Sequence, residues 1–202
     1  LYDYINPSVY PFDMDLVKEY QKISTMVEDG QPKLVIFHLI GQHVAYNERY
    51  PETDIIFTQK DYLTRKDIDN AQKEIVAHYD NAVHYNDKVI SSIIECFRKE
   101  DSIIIYLSDH SDEVYDYRDH FGRSHESIIT KGRAMYQYEI PFMIWVSDKY
   151  RESHQDINDK ITNSINKSFM IDDLPHLMLD LAGINCEWFE PSRSLINVQY
   201  NG

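Results

Sequence analysis

The sequence predicts an α/β fold in which a mostly parallel sheet is sandwiched by helices. Continuous apolar runs carry the first part of that expectation: Lys33-LVIFHLIG-Gln42, Ile103–Leu107 (IIIYL) and Ile140–Ser147 (IPFMIWVS) lack polar alternation, as strands covered on both faces do. Between the first two runs, from about Arg65 to Lys99, Ile68, Ala71, Ile75, His78, Tyr79, Ala82, Tyr85, Val89, Ile93 and Phe97 recur at helical steps. Strand, long helix, strand predicts a right-handed crossover with parallel strands, so both strand ends fall on one edge of the sheet. With 202 residues and 43% hydrophobic content, the chain can bury a core and reads as a single domain over residues 1–202.

Taken in order, LYDYINPSVYPFDMD begins without methionine and reads as a loop crossing into a helix, as in a fragment of a longer chain. A helix is expected over Asp15–Met26, from Leu16, Tyr20, Ile23 and Met26, with Asp29-Gly30 and Pro32 ending it. In the first apolar run His38 is expected to be a satisfied core residue, whereas His43, just past Gly41, arrives at the strand's end. Ala45–Asp61, with a proline and several tyrosines, suits an ordered loop over the sheet edge. The long helix admits a break near Asp80. Val114–Glu139 is a polar, tyrosine-rich connection whose length points to a lid or binding element. Residues 148–167 are polar; Leu174–Leu181 is apolar at helical spacing, with Gly183 as a natural stop. The tail EWFEPSRSLINVQYNG reads as a loop or short extended piece.

The candidate site lies where the second run stops, at Ser108, Asp109, His110, Ser111, Asp112 and Glu113. In open α/β sheets this is the ligand-binding end of a strand. Two readings stand side by side. Such residues serve as turn and cap residues that satisfy backbone amides. Alternatively, Asp109 and His110 supply one oxygen and one nitrogen to a divalent metal, a pair that suits zinc or manganese better than calcium. Two ligands are too few, and His43 is the nearest further candidate on the same sheet edge. Within Val114–Glu139, His120 and His125 accompany Arg118, Arg123, Lys131 and Arg133; they read either as a solvated loop or as an anion site beside a metal-bound phosphate or sulfate.

A net charge of −14 offers no basic surplus for nucleic acid, and no partner of that kind is expected. No stretch approaches the roughly 18–20 apolar residues of a membrane span, and no signal segment opens the chain. Cys96 and Cys186 are expected as free thiols. Glycine-rich phosphate loops, CxxC pairs and internal repeats are lacking.

In order, LIGQH-VAYNERYP, YDNAVHYNDKVISSII, IYLSDHSDEVYD, a later isolated histidine, YQYEIPFMIWVS and EPSRSLIN resemble the C-terminal half of the catalytic domain of bacterial phosphoethanolamine transferases. These are membrane-anchored members of the alkaline phosphatase and sulfatase superfamily, and the resemblance runs over nearly the whole chain. It implies an alkaline phosphatase/sulfatase-like fold lacking its N-terminal half, at the periplasmic face of the bacterial inner membrane. The family's SDH falls on Ser108, Asp109 and His110, implying zinc on Asp109 and His110. The histidine of its GSH motif falls on His43 and the isolated one on His120, both beside the phosphoryl group or a second metal. Apart from the resemblance, which offers no counterpart for His125, the loop's own Arg118, Arg123 and His125 are expected to be substrate-binding. The usual SDHGE reads SDHSD here, with Ser111 for glycine and Asp112 for glutamate. The implied reaction moves phosphoethanolamine from phosphatidylethanolamine to lipopolysaccharide core or lipid A through a phospho-threonine. The threonine and a further carboxylate ligand lie in the family's N-terminal half, so this chain alone is expected to be inactive. A sulfatase, a phosphoglycerol transferase and a non-catalytic binding remnant are the alternatives.

Overall fold

The computed structural model describes residues 10–24, 31–124 and 128–202. It comprises two compact units. One uses the chain up to Cys96 together with His110–Glu139, the other Phe97–Asp109 and Ile140–Gly202.

In the first unit, helix α1 spans Asp13–Ser24, with Asp13 and Asp15 in its first turn and Lys22 in its last, the charge order that suits a helix dipole. Its expected extension to Met26 and the Asp29-Gly30 stop lie outside the described residues. The first apolar run does not become the buried strand that was expected: residues 31–40 pair with no strand among the described residues. Phe37 meets Tyr20 of α1 edge-on at 5.1 Å. On the alternate positions, Leu34 is 72% and Ile36 69% exposed, and His38 is exposed too, not a core residue. A strand of a parallel sheet needs hydrogen-bonding neighbours at its edges and cover on both faces, and here one helix covers one side.

Past a loop wound into short 3-10 turns at Tyr46–Glu48, Glu52–Asp54 and Gln59–Tyr62, helix α2 runs unbroken over Asn70–Phe97. It starts later than its apolar stripe suggested, because Asp69 and Gln72 cap it reciprocally: Gln72 N donates to Asp69 Oδ1 and Asp69 N to Gln72 Oε1, each at 2.9 Å. No break occurs at Asp80. Buried Asn81 fastens the preceding loop to α2, accepting from Ile56 N (2.8 Å) and Phe57 N (2.9 Å) and donating to Phe57 O (2.9 Å). The short strands β2 (Glu113–Val114) and β3 (Phe121–Gly122) form an antiparallel hairpin, and helix α3 covers Lys131–Gln137. Tyr46, Ile68, Val76, Val114 and Tyr115 make the core of this unit.

In the second unit, β1 is Ile103–Leu107, as the apolar run predicts, and pairs antiparallel with β4, Phe142–Val146, from Ile103↔Val146 to Leu107↔Phe142. The mostly parallel sheet is therefore not what the described residues form; both ladders are antiparallel. The run expected as β1's parallel neighbour makes no ladder, and β4 meets β1 in the opposite direction. Ser147 accepts from Tyr150 N at 3.0 Å and so caps α4, Asp148–Ser153; α5 follows at Gln155–Thr162. Both helices lie in the stretch read as merely polar. Helix α6 covers Leu174–Leu181 and ends at Gly183, whose φ of +65° glycine adopts without a Cβ penalty. The tail is core: Leu195 and Ile196 are buried with Leu177, and Arg193 ties it to Asp173 and to Asp172 (3.4 Å). Burial of each such side chain is worth about 1.5–3 kcal/mol.

Candidate active site

His43 stands after a tight turn. Gly41 holds a φ of +60°, His43 N donates to Ile40 O at 3.3 Å, and the Asp13 carboxylate accepts from Ile40 N (3.0 Å) and Gly41 N (2.8 Å). The first residue of α1 thus fixes the turn that presents the histidine. The His43 ring is exposed, with Nδ1 against the Val44 carbonyl.

Asp109 is exposed just beyond β1, at the end of that unit's first segment. His110 is half-buried in the other unit. Its Nδ1 lies 3.2 Å from Ser111 O and 3.8 Å from Asp112 Oδ1. A carbonyl can only accept, so in these contacts Nδ1 of His43 and of His110 is the donor.

The next two carboxylates have distinct structural tasks. Asp112 Oδ2 accepts from the buried Tyr46 hydroxyl at 2.9 Å. Burial and the Asp112 charge hold the Tyr46 hydroxyl well above the usual phenol range, so it remains a donor at neutral pH. Glu113, fully buried, accepts from Arg118 N (2.6 Å), Nε (3.1 Å) and Nη2 (2.7 Å). Arg118 Nη2 also reaches Ser124 Oγ at 3.3 Å, which accepts from Gln137 Nε2 at 3.1 Å; the Gln137 carbonyl takes Ser111 N at 3.2 Å. This network closes the β2–β3 loop and sets His120, whose backbone bonds to Arg118 O and Tyr115 N. The His120 Nε2 is buried and meets no hydrogen-bond partner among the described residues. An orphaned buried nitrogen is uncommon and calls for a ligand or water.

Among the described residues three of the arginines have partners within the chain. Arg118 is committed to Glu113, Arg123 sits over the Tyr138 ring at 5.9 Å, and Arg133 Nη1 donates to Ile128 O at 2.7 Å. His125 lies outside the described residues. Tyr46 escaped the sequence reading, where no signal separates it from fifteen other tyrosines (16 in all). The pairing of Glu113 with Arg118 was hinted at only by a carboxylate standing directly before the apolar Val114.

The oxygen and nitrogen donors at Asp109 and His110 fit the chemistry of zinc. Among the described residues, however, no three His, Cys, Asp or Glu side chains gather into a metal-holding group, and this pair falls short of the four donors zinc takes. No helix among them is long and apolar enough to cross a membrane.

Residues 1–184 match the sulfatase family, and the chain belongs to it. Within that family it is similar to the phosphoethanolamine transferase EptC of Escherichia coli strain K12, at 31% identity over 198 residues, 96% of this chain and 32% of that protein. The Kdo(2)-lipid A phosphoethanolamine 7''-transferase of the same strain is 33% identical over 142 residues, covering 70% of this chain and 24% of the other. The chain thus spans about a third or less of these relatives. Among solved structures, the C-terminal periplasmic domain of E. coli EptC in complex with Zn superposes with a TM-score of 0.76 at 28% identity, covering 99% of this chain and 54% of that one. The corresponding EptC domain of Campylobacter jejuni, at 21% identity and a TM-score of 0.73, shares the fold.

Proposed function

We propose that residues 1–202 are the C-terminal portion of one sulfatase-like catalytic domain in a zinc-dependent phosphoethanolamine transferase. It takes phosphoethanolamine from phosphatidylethanolamine and delivers it to lipopolysaccharide core or lipid A, at the periplasmic face of the bacterial inner membrane. The threonine nucleophile and the membrane tether come from outside these residues, so the chain alone is inactive. The observation that carries this reading is the His110 imidazole, with Nδ1 3.2 Å from the Ser111 carbonyl and 3.8 Å from the Asp112 carboxylate, in a chain 28% identical to a domain solved with zinc.

Asp109 and His110 hold the zinc, together with donors from outside this chain. When bound, the metal lowers the pKa of the attacking hydroxyl and offsets charge on the transferring group. His43 and His120 orient or protonate that group. Arg123 takes part in binding the substrate, and His125, which lies outside the described residues, is assigned the same role. Arg118 acts through Glu113, by holding the β2–β3 loop.

The test is mass spectrometry of lipopolysaccharide from bacteria expressing the intact protein or its His110→Ala and His43→Ala variants. Phosphoethanolamine addition is expected from the parent, none from His110→Ala, and a loss of about 100-fold or more from His43→Ala, the usual worth of a general acid or base. Undiminished addition by His110→Ala would refute the assignment.

A further inference from the structure

Asp112 sits between His110, the proposed metal ligand, and the buried Tyr46, and the proposed reaction gives Asp112 itself no task. One oxygen, Oδ2, is fixed at 2.9 Å by the Tyr46 hydroxyl; the other, Oδ1, faces His110 Nδ1 at 3.8 Å. The second distance is long for a hydrogen bond but short for an electrostatic contact. Asp112 is itself nearly buried, its side chain 10% exposed. Tyr46 is a rigid anchor: 3% exposed, its ring stands edge-on to Tyr79 at 5.1 Å and to Phe121 at 6.2 Å. On the other side, the Ser111 backbone is pinned to Gln137 O at 3.2 Å. Carboxylate and backbone flanking one imidazole nitrogen form the outer shell that orients a metal-binding histidine.

We propose that Asp112 is the positioning residue for His110 and that Tyr46 holds Asp112 in that role, so that the ring is turned with Nδ1 toward Asp112 and Ser111 and Nε2 toward a divalent metal. This rests on the reading of His110 as a metal ligand.

The experiment is zinc affinity of the intact protein by competition with a chromophoric chelator, with circular dichroism as a check on folding. Asp112→Asn is expected to weaken zinc binding 10–100-fold, the usual cost of losing an outer-shell partner. Tyr46→Phe, which keeps the ring in the core, is expected to weaken it less. The double variant should be no weaker than Asp112→Asn alone, because Tyr46 acts through Asp112; Asp112→Glu should recover part of the affinity. Unchanged affinity in Asp112→Asn, or a Tyr46→Phe loss that adds in full to it, would overturn the proposal. A His110→Ala variant run alongside separates the two ideas, since unchanged zinc binding there would refute the ligand assignment itself.

Discussion

Lys33–Gln42 and Ile103–Leu107 are composed alike, each an apolar run followed within a few residues by a histidine, yet the two are held very differently. Ile103–Leu107 finds β4 as a partner along its whole length. The earlier run has α1 on one side, and two of its aliphatic side chains, Leu34 and Ile36, are about seven-tenths exposed. The histidines that follow differ in the same way. His43 is presented by the half-buried carboxylate of Asp13, acting on two backbone amides. His110 is followed at once by Asp112 and Glu113, each bonded to a separate part of its unit. Apolar composition marks a segment that wants cover; it does not say whether the same stretch of chain provides it.

The largest way to break this contrast is to unlock the better-held side. Glu113 is fully buried and paired with Arg118, whose side chain keeps 24% exposure. Removing one member of a buried pair costs about 3–5 kcal/mol. Because Arg118 can turn partly to water, Glu113→Ala should fall at the lower end, about 3 kcal/mol by urea denaturation. A loss below about 1 kcal/mol, the range of surface pairs, would show that water already screens the pair.

A change of pH probes the Tyr46–Asp112 link without mutation. Burial and then Asp112 raise the Tyr46 hydroxyl above its ordinary value of 10.0. A raised folded pKa gives stability that is complete below the unfolded value and is lost as pH climbs past it, because the unfolded chain releases a proton that the folded one retains. Stability should therefore be flat approaching pH 10 and then drop by about 1.4 kcal/mol per pH unit for this group. Tyr85, pushed up to about 12 by burial and neighbouring aspartates, adds to the same drop. Tyr46→Phe should make the decline shallower; an identical alkaline limb in the variant would mean that Tyr46 is not neutral by necessity.

What could be read from sequence follows from where the determining interactions lie. β1 and α6 came out at their observed limits because each is set by its own letters, an apolar run of strand length and a helical stripe closed by Gly183. The start of α2 was written in the Asp69–Gln72 pair, and that of α4 in Ser147, both cap signals overshadowed by the apolar pattern and the polar composition. The sheet's direction could not be read, since it depends on which strands meet. The tail looked like a loop because its buried pair, Leu195 and Ile196, is too short to show periodicity. At the site, histidines at strand ends were legible as residues. The Tyr46 anchor comes from a contact with Asp112, 66 positions away, that no local pattern shows.

The smallest expected effect tests the exposed side of the comparison. Ile36 is 69% exposed, so replacing it removes little buried surface. Ile36→Ser should change the stability of its own unit by no more than about 0.5 kcal/mol, the range of surface substitutions. The equivalent change at Leu177, fully buried in the second unit, should cost at least about 2–5 kcal/mol through lost transfer energy and the cavity left behind. Both are read by urea denaturation. If Ile36→Ser cost as much as Leu177→Ser, the run would be covered in solution, and its apolar letters would be a buried strand after all. If it costs almost nothing while apolar dye binding falls, Leu34 and Ile36 are open surface on this chain, and the strand their sequence describes awaits a partner from elsewhere.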